Sequence, residues 1–336
     1  MPTATPVDPT TAPGPRSAVH TTEHSVVVAA SPEAVYRLVA DVSAWPQVFG
    51  PTVHVEVLEE VDPDVGGEQL LRIWALANDR VRTWTSRRVL DPAARSVSFR
   101  QVVPAAPVAS MGGEWRAEAQ PDGRTRVRLL HDYRAVDDNP DAERLIAQAV
   151  DRNSEAELAS LRSALESEVP LEEVRLTFCD SEVVSGEAAD VYAFLERADL
   201  WPDRLPHVAR LDLTETEPGL QHMEMDTRGP DGDTHRTTSV RVCFPDRGVI
   251  VYKQLRMPAA MSGHTGRWEV EALEDGTVRA TSWHTVTLDP RGVAAVLGEG
   301  ASLAEARKLV REALGTNSGT TLRHAKSFAE GARARS

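Results

Sequence analysis

The sequence predicts an α+β fold with two tandem domains, each an antiparallel sheet curled around one long C-terminal helix. The first observation is a repeat: the segment from Ser86 to Trp115 recurs in outline from Ser239 to Trp268, and the shift of 153 residues stays constant. A period of this size indicates a duplicated domain, because solenoid repeats are usually about 20 to 50 residues long. The second observation is length, since 336 residues suit two domains of roughly 150 residues each. The third is the order of elements, which is the same in both copies.

Each copy is expected to begin with a short strand followed by a helix. A serine stands before each helix, Ser31 in the first copy and Ser185 in the second, where its side chain can cap free N–H groups of the first turn. The helices should end before Trp45 and Trp201, because each tryptophan precedes a proline that disfavours helical geometry. We therefore expect a tryptophan at a turn in each half. The strands are expected at residues 24–29 and 173–179.

Five or six strand-like runs rich in Val, Thr, Arg and Trp follow in each copy, broken by turn signals such as DPAAR and PDRG. Because no helical pattern interrupts them, the strands should pair as antiparallel hairpins. One long helix must then cover one face of the sheet, and the space between the two is a natural cavity. The terminal helices are expected at residues 142–166 and 302–329. The expected boundaries are 1–20 for a disordered tail, 21–167 for the first domain, 168–173 for a linker and 174–331 for the second domain.

The charge balance argues against several classes of partner. The chain has 51 acidic and 37 basic residues and a formal net charge of −14, whereas nucleic acids and anionic membranes are themselves polyanionic. No apolar run approaches the ~20 residues of a membrane-spanning helix, and the first residues lack a signal-peptide pattern, so we expect a cytoplasmic protein. The two cysteines lack metal-binding spacing, so neither a metal site nor a disulfide framework is implied.

A strand predicted at residues 80–90 carries the most informative pattern. Alternation puts Arg82, Trp84, Ser86 and Arg88 on one face. These residues either coat the solvent side of the sheet or line a polar cavity. The pattern alone favours the solvent side, because burying an arginine is costly.

The second copy favours the cavity instead. Its matched strand places Thr237, Ser239 and Arg241 on the equivalent face, so the Ser-x-Arg pair persists while the tryptophan is replaced. A pair shared by two diverged halves is more easily explained by a common site. Shared ancestry without function is the alternative.

Several motifs resemble those of the polyketide aromatase/cyclases of bacterial type II polyketide synthases. They are WPQVF at residues 45–49, WTSRRVLDP at residues 84–92, and the spaced Met111 and Trp115. The two-copy length is similar to that of the didomain subclass, and the resemblance covers nearly the whole chain after residue 20. It implies two tandem helix-grip domains of the START/Bet v 1-like superfamily, each with an internal cavity.

The resemblance also implies an activity. In that family the cavity receives a poly-β-ketone on the phosphopantetheine arm of an acyl carrier protein, closes the first ring by aldol condensation and dehydrates it to an aromatic ring. Didomain members are associated with chains already reduced at one ketone. Expected partners are the acyl carrier protein and other synthase subunits, and a homodimer is left open. The absence of GxSxG, P-loop and GxGxxG motifs from the sequence is consistent with chemistry that needs no cofactor.

Matching the family's W-x-S-x-R motif implies the site residues. Ser86 and Arg88 are expected to be catalytic, with Ser239 and Arg241 at the matched positions of the second half. Arginine is a poor proton donor, so Arg88 suits stabilisation of an enolate or alkoxide oxygen and orientation of a water. Some single-domain members carry a tyrosine at the position that Thr52 occupies in this sequence. The residues expected to bind substrate are Trp45, Phe49, Arg82, Trp84, Met111, Trp115 and His131 in the first half, and Trp201, Thr237, Trp268 and His284 in the second.

Other roles compete with these assignments. His131 and His284 titrate near neutrality, but each shares its strand face with apolar residues and is either a core histidine or a cavity-lining one. The tryptophans are either packing residues or flat walls for an extended ketide. A helix-grip protein can also bind or carry a lipid without transforming it. One half can catalyse while the other supports packing or dimerisation, and the replacement of tryptophan at Thr237 favours catalysis in the first half.

Overall fold

Two seven-stranded antiparallel sheets, one in each half of the chain, form the architecture of the computed structural model. The structure describes residues 19–78, 80–228, 232 and 234–334. Most of the tail expected at residues 1–20 lies outside this range, and His20 already begins the first strand. The predicted α+β class, with a curved sheet and a long helix in each half, is confirmed. No helix among the described residues is long and apolar enough to cross a membrane.

The N-terminal half folds back so that its first and last strands are neighbours. Its sheet has the order β1-β7-β6-β5-β4-β3-β2, and β1 pairs antiparallel with β7, with Val26 opposite Val127. A 3-10 turn at Val136–Asp138 leads into the terminal helix. The elements are β1 (His20–Val28), α1 (Pro32–Ala40), α2 (Trp45–Val48), β2 (Thr52–Glu59), β3 (Gly67–Ala77), β4 (Arg80–Asp91), β5 (Ser96–Val103), β6 (Val108–Ala119), β7 (Thr125–Ala135) and α3 (Pro140–Leu165).

The C-terminal half repeats this topology. Its strand order is β8-β14-β13-β12-β11-β10-β9. A short helix, α4, begins within the expected linker, and a further helix, α7, precedes the terminal helix, where the first half has only the 3-10 turn. The elements are α4 (Leu171–Val174), β8 (Arg175–Val184), α5 (Ala188–Glu196), α6 (Trp201–Arg204), β9 (Val208–Glu217), β10 (Leu220–Arg228), β11 (Thr234–Phe244), β12 (Val249–Arg256), β13 (Met261–Ala272), β14 (Val278–Leu288), α7 (Pro290–Leu297) and α8 (Leu303–Arg333), with 3-10 turns at Ala198–Leu200 and Pro245–Arg247.

The helices that follow the first strand of each half begin differently. Ser31 caps α1 as expected, because its side chain accepts a hydrogen bond from the Ala34 N–H at 3.2 Å. Ser185 does not cap α5, whose N-cap residue is Glu187 without a side-chain bond. The Ser185 N–H instead donates to Glu330 at 2.9 Å. The capping prediction for the second half is therefore wrong, because this serine is tied to the end of α8.

Both tryptophans predicted to lie at turns begin short helices instead. Trp45 opens α2 and Trp201 opens α6, and Trp201 has helical φ and ψ of −64° and −35°. The following proline is tolerated because a first-turn N–H has no partner within its own helix. Each indole N–H donates 3.1 Å back to the preceding helix, from Trp45 to Val39 O and from Trp201 to Phe194 O. The turn prediction is wrong, but both side chains are fixed in matched positions.

One face of α3 covers the N-terminal sheet. Its buried residues recur at spacings of four, four, four and three, which places them on one helical stripe. They are Ile146, Val150, Ser154, Leu158 and Leu161. Leu158 and Leu161 pack into the main core with α1 and the sheet. Ile146 and Val150 lie nearer the start of α3, where helix and sheet enclose the cavity described below.

Candidate active site

A cavity of about 410 Å³ lies between the N-terminal sheet and α3. Its volume is in the range typical of small-molecule sites, ~300–1,000 Å³. Every residue that the sequence assigned to the first half's site lines it, namely Trp45, Phe49, Arg82, Trp84, Ser86, Arg88, Met111, Trp115 and His131. Whether these residues act in catalysis is a separate question from this placement.

Strand β4 runs along one wall of the cavity. Arg80 is exposed, Arg82 and Trp84 are half-buried, and Ser86 and Arg88 are each only 2% exposed. The strand therefore descends from the opening to the deepest part of the cavity. Its alternating face points inward, and the alternative in which these residues coat the solvent side of the sheet is wrong.

The Arg88 guanidinium is held by the protein itself. Its Nη1 donates to Val39 O at 3.0 Å and its Nη2 to Ala40 O at 2.8 Å, so it satisfies the last carbonyls of α1. Its Nε and Nη2 also donate to Gln69 Oε1, at 3.1 and 2.5 Å. These contacts use four of the five N–H bonds of a guanidinium.

The same guanidinium also stacks on an aromatic ring. Its central carbon lies 5.1 Å from the centroid of the Trp45 ring, which is itself part of the cavity wall. Burial lowers the pKa of Arg88 to about 9. A guanidinium bound to a helix end and a glutamine has one N–H left for a substrate oxygen, so the catalytic role expected of Arg88 stays a prediction.

The second half contains the same clamp. Arg241 donates from Nη2 to Leu195 O at 2.5 Å and from Nη1 to Glu196 O at 3.4 Å, at the end of α5. Its guanidinium carbon lies 5.4 Å from the Trp201 ring centroid. The duplicated arginine is thus explained by a helix-end clamp common to both halves, without invoking a shared catalytic role.

The two serines of the duplicated pair differ in their contacts. Ser86 Oγ donates to Arg100 O at 3.3 Å across the β4–β5 pair. The buried Ser239 Oγ has no hydrogen-bond partner in the part of the chain that the structure describes. Neither serine is paired with a base, so a nucleophilic role has no support in the geometry.

His131 faces the cavity as a neutral imidazole. Burial lowers its pKa to about 4, and its ring lies edge-on to Phe99 at 5.5 Å between centroids. Its Nδ1 is buried and has no hydrogen-bond partner among residues 19–78, 80–228, 232 and 234–334. Of the two alternatives from the sequence, the cavity-lining one describes this residue.

Glu157 is a polar residue of the cavity that the sequence analysis missed. It lies on α3, one turn from both Ser154 and Leu161 on the buried stripe, and it lines the cavity. Its side chain keeps some accessible surface because it faces the cavity, while protein surrounds it. Burial alone raises the pKa of this carboxyl to about 7. The helical periodicity of α3 was the signal that could have identified it.

The cavity has few other polar side chains. Gln101 donates from Nε2 to the Met111 sulfur at 3.5 Å, and Asn153 donates from Nδ2 to Leu76 O at 2.8 Å. Within the described ranges, the buried Gln101 Oε1 and Ser154 Oγ have no hydrogen-bond partner. The cavity therefore combines apolar walls with a few polar side chains, and these two atoms have almost no surface open to it.

Aromatic rings form the innermost wall. Phe49 lies 5.7 Å from Trp45 in an edge arrangement and 6.0 Å from Trp115 in a stacked one, measured between ring centroids. Phe49 and Trp115 are 2% and 7% exposed. These rings pack in the core and also face the cavity. Trp45 and Trp115 are therefore packing residues and cavity walls at the same time.

The matched residues of the second half are packed together. Trp201, Ser239, Arg241, Trp268 and His284 are buried, and none of them lines the 410 Å³ cavity. Trp201 and Trp268 meet edge-on at 6.4 Å within a core cluster, and Thr237 donates to Met225 O at 3.4 Å.

His284, the counterpart of His131, is the centre of a hydrogen-bonded cluster. Its Nδ1 lies 2.9 Å from Tyr252 Oη and 3.1 Å from His264 Nε2, and its Nε2 lies 3.1 Å from Ser282 Oγ. Burial lowers the pKa of His284 to about 4 and that of His264 to about 3. The core-histidine alternative therefore describes His284, because both ring nitrogens are occupied by the protein.

Comparisons with known proteins agree with the duplicated architecture. A family model described as polyketide cyclase/dehydrase and lipid transport matches residues 19–166. The granaticin polyketide synthase bifunctional cyclase/dehydratase of Streptomyces violaceoruber is 46% identical over 331 residues, covering 98% of this chain and 99% of that one. The actinorhodin polyketide synthase bifunctional cyclase/dehydratase of Streptomyces coelicolor is 46% identical over 325 residues, covering 94% and 98%.

Solved structures show the same two-part architecture. The di-domain ARO/CYC BexL from the BE-7585A biosynthetic pathway has a TM-score of 0.80 and 49% identity, covering 93% of this chain and 99% of that one. The di-domain ARO/CYC StfQ from the steffimycin pathway has a TM-score of 0.78 and 36% identity, covering 94% and 100%. The chain therefore belongs to the didomain polyketide cyclase/dehydratase family, and the resemblance inferred from its motifs is confirmed.

Proposed function

We propose that the N-terminal cavity folds a carrier-bound, ketoreduced poly-β-ketone, closes its first ring by intramolecular aldol condensation and dehydrates that ring to an aromatic one. The observation that carries the proposal is a single carboxyl, Glu157, which lines an aromatic cavity and has a pKa near neutrality. The names of the granaticin and actinorhodin relatives support a cyclase/dehydratase activity. We also expect the protein to act in the cytoplasm beside the other synthase subunits.

The two reactions need a group that can both accept and donate a proton. In the aldol step a proton leaves the carbon between two carbonyls, the new carbon–carbon bond forms, and the attacked carbonyl oxygen is protonated. In the dehydration step a second carbon-bound proton leaves and the hydroxyl departs as water. Proton transfer is most effective when the pKa of the group lies near the working pH, which Glu157 satisfies.

His131 and Arg82 are proposed to assist from the opposite wall. The neutral imidazole of His131 lines the cavity and can exchange a proton with a ketone or hydroxyl through Nε2, because its Nδ1 is buried. Arg82 lies higher on β4 and is half-buried, so it can bind a ketone oxygen further along the chain. We assign Arg88 and Ser86 a positioning role, because Arg88 holds Trp45 and the end of α1 in place.

The opening of the cavity is proposed as the place where the acyl carrier protein docks. Arg80 is exposed there, and Leu145 at the start of α3 lines the cavity while remaining 50% exposed. An arginine at the opening can contact the phosphate of the phosphopantetheine arm. Raising the salt concentration should weaken carrier binding to the wild type, and should do so less for Arg80→Gln.

A product profile tests the proposal. A minimal polyketide synthase with its ketoreductase would be run without this protein, with the wild type, with Glu157→Gln and with Glu155→Gln. Glu155 is an exposed residue on the same helix and serves as the matched control. We expect the wild type and the control to shift the profile from spontaneously cyclised shunt products to one aromatised product, and Glu157→Gln to lose roughly 10²–10⁴-fold in rate.

The same experiment separates the rival function. A protein that only binds or carries a polyketide changes its solubility or transfer rate but leaves the product profile unaltered. Identical profiles with and without the wild type would therefore favour the carrier function. Full activity in Glu157→Gln would still support an enzymatic function, but it would show that this carboxyl is not the acid and base of the reaction.

A further inference from the structure

The second half of the chain contacts the segment that forms one wall of the first half's cavity. We call residues 45–52 the wall segment. It comprises α2 and the turn into β2, and three of its residues, Trp45, Phe49 and Thr52, line the cavity. Phe49 and Thr52 are 2% and 3% exposed. The position of this backbone therefore sets the position of the aromatic wall.

Lys253 of β12 holds the turn of the wall segment. Its Nζ donates to Phe49 O at 2.8 Å, to Gly50 O at 2.9 Å and to Thr52 O at 2.8 Å. An ammonium has three N–H bonds, so these three carbonyls match its donors completely. The side chain is 6% exposed, whereas lysine is almost never fully buried without partners.

Gln47 holds the other end of the segment. Its Nε2 donates to Thr265 Oγ1 at 2.6 Å and to Thr285 O at 2.9 Å, and its Oε1 accepts from Thr287 Oγ1 at 2.9 Å. Gly263 lies so close that a Cβ at this position would be 2.7 Å from Gln47 Oε1. All these partners belong to β13 and β14 of the second half, so α2 is anchored from outside its own sheet.

The duplication shows that this outer face of the second sheet has changed. At the matched positions, 153 residues earlier, the first half has Arg100, Asp132 and Arg134 where the second has Lys253, Thr285 and Thr287. Arg100 pairs with Asp132 at 2.7 Å, and Arg134 pairs with Asp138 at 3.1 Å. The face is thus a set of surface ion pairs in one half, whereas in its counterpart Lys253 donates to the backbone of the wall segment and the strands β13 and β14 hydrogen-bond the Gln47 side chain.

Apolar contacts continue the interface around these hydrogen bonds. Val53 and Trp74 of the first half share a core cluster with Val240 and Val242 of the second. Phe244 meets the Trp74 ring edge-on at 5.6 Å between centroids. A continuous buried cluster of this kind fixes the relative position of the two halves.

We propose that Lys253 and Gln47 are positioning residues through which the second half sets the shape of the first half's cavity and so its product specificity. The second half then contributes to the reaction although its own Trp201, Arg241 and His284 are packed into its core. The product readout of this inference rests on the proposed function, whereas its structural readout does not.

Amide hydrogen exchange on the full-length protein without substrate gives the structural readout. Lys253→Met removes the three donors and keeps a chain of similar length. We expect exchange in the wall segment to rise about tenfold or more, because buried carbonyls lose their partners. Lys326→Met is the matched control, since Lys326 also donates to a backbone carbonyl, Val183 O at 2.8 Å, but within the second half. Unchanged exchange in the wall segment, or a uniform rise across both halves, would overturn the proposal.

A second variant covers the case in which Lys253→Met does not fold. Thr265→Val keeps the shape of its side chain but removes the hydroxyl that accepts from Gln47 Nε2. We expect a smaller rise in exchange, confined to α2 and the turn after it. If α2 remains as protected as in the wild type, the anchoring role of Gln47 is rejected and the proposal fails with it.

The product ratio then connects the anchor to specificity. In the reconstituted synthase, Lys253→Met should lower the fraction of the single aromatised product relative to shunt products at saturating protein, while Lys326→Met should not. A lower rate with an unchanged ratio would mean a stabilising role only and would overturn the proposal. If the wild type itself leaves the profile unaltered, the proposed function fails, and the exchange result still decides the anchoring.

Discussion

The two halves share an arginine clamp and differ in what occupies the space beside it. In the first half the clamp borders a cavity with Glu157 and His131 in its walls. In the second, His264, His284 and Tyr252 form a hydrogen-bonded cluster in the matched interior. The comparison teaches that the retained arginines maintain the fold, whereas diverged residues such as Glu157 and Tyr252 distinguish the cavity from the packed core.

The largest effect that would test this comparison is on stability. Arg88→Met and Arg241→Met should each lower the free energy of unfolding by about 2–4 kcal/mol, because each leaves helix-end carbonyls buried without a donor. Urea unfolding monitored by tryptophan fluorescence measures both. Arg82→Met, on the same face as Arg88, is the control and should cost under ~1 kcal/mol. A large loss for Arg88→Met alone would show that the two clamps are not equivalent.

The next effect concerns pH and a diverged pair in the terminal helices. Glu157 and Thr321 each lie three residues after an Asn-Ser dipeptide, at residues 153–154 of α3 and 317–318 of α8, so they occupy matched positions. The pKa of Glu157 is raised from 4.5 to about 7, so the folded protein retains a proton that the unfolded chain releases. Wild-type stability should therefore fall, relative to Glu157→Gln, as the pH rises from about 4.5 to about 7, by roughly 1–3 kcal/mol. Urea unfolding at pH 5 and pH 8 would show it. Thr321→Val should follow the wild-type pH dependence. If the stability of Glu157→Gln changed with pH in parallel with that of the wild type, the raised pKa of Glu157 would be contradicted.

A third test uses the tryptophan that only the first half retains. Trp84→Ala should enlarge the cavity and change the ratio of cyclised products by several-fold, because the ring forms part of the wall. Thr237→Ala, at the matched position, should leave the ratio unchanged. Chromatographic comparison of the products measures both. An unaltered ratio in a folded Trp84→Ala protein would count against this residue as a wall.

The smallest effect separates the two serines. Ser86→Ala loses a hydrogen bond to Arg100 O and should cost about 0.5–1 kcal/mol. Ser239→Ala removes a buried hydroxyl without a partner in the described structure, so it should be neutral or slightly stabilising. Paired urea titrations would resolve the difference. An equal loss for both would mean that Ser239 has a partner comparable to that of Ser86.

Periodicity and duplication were sufficient to predict the sheets, the long helices and the cavity-lining face of β4. They could not reveal the partners of Arg88, because Val39, Ala40 and Gln69 come from elements distant in sequence. An alternating pattern places a side chain on a face but does not identify which carbonyls meet it there.

Glu157 and Lys253 were missed for different physical reasons. Glu157 was recognisable from the face of α3, but a charged residue on an amphipathic helix is normally read as solvent-facing. Lys253 lies on a strand face that would be the outer surface of an isolated domain, and only the contact between the halves buries it. Its replacement of Arg100 at a shift of 153 residues was the available signal.

The insertion of Lys253 into the wall segment has a consequence for engineering chimeras. Replacing only the first 167 residues by those of a relative would place a new wall segment against Lys253 and its neighbours, which evolved in contact with a different wall segment. A chimera that preserves the cavity must transfer the residues at 253, 265 and 287, whose side chains contact the wall segment, together with the N-terminal half. The unit of recombination for this enzyme is therefore the complete pair, even though the fold can be divided by eye at the linker.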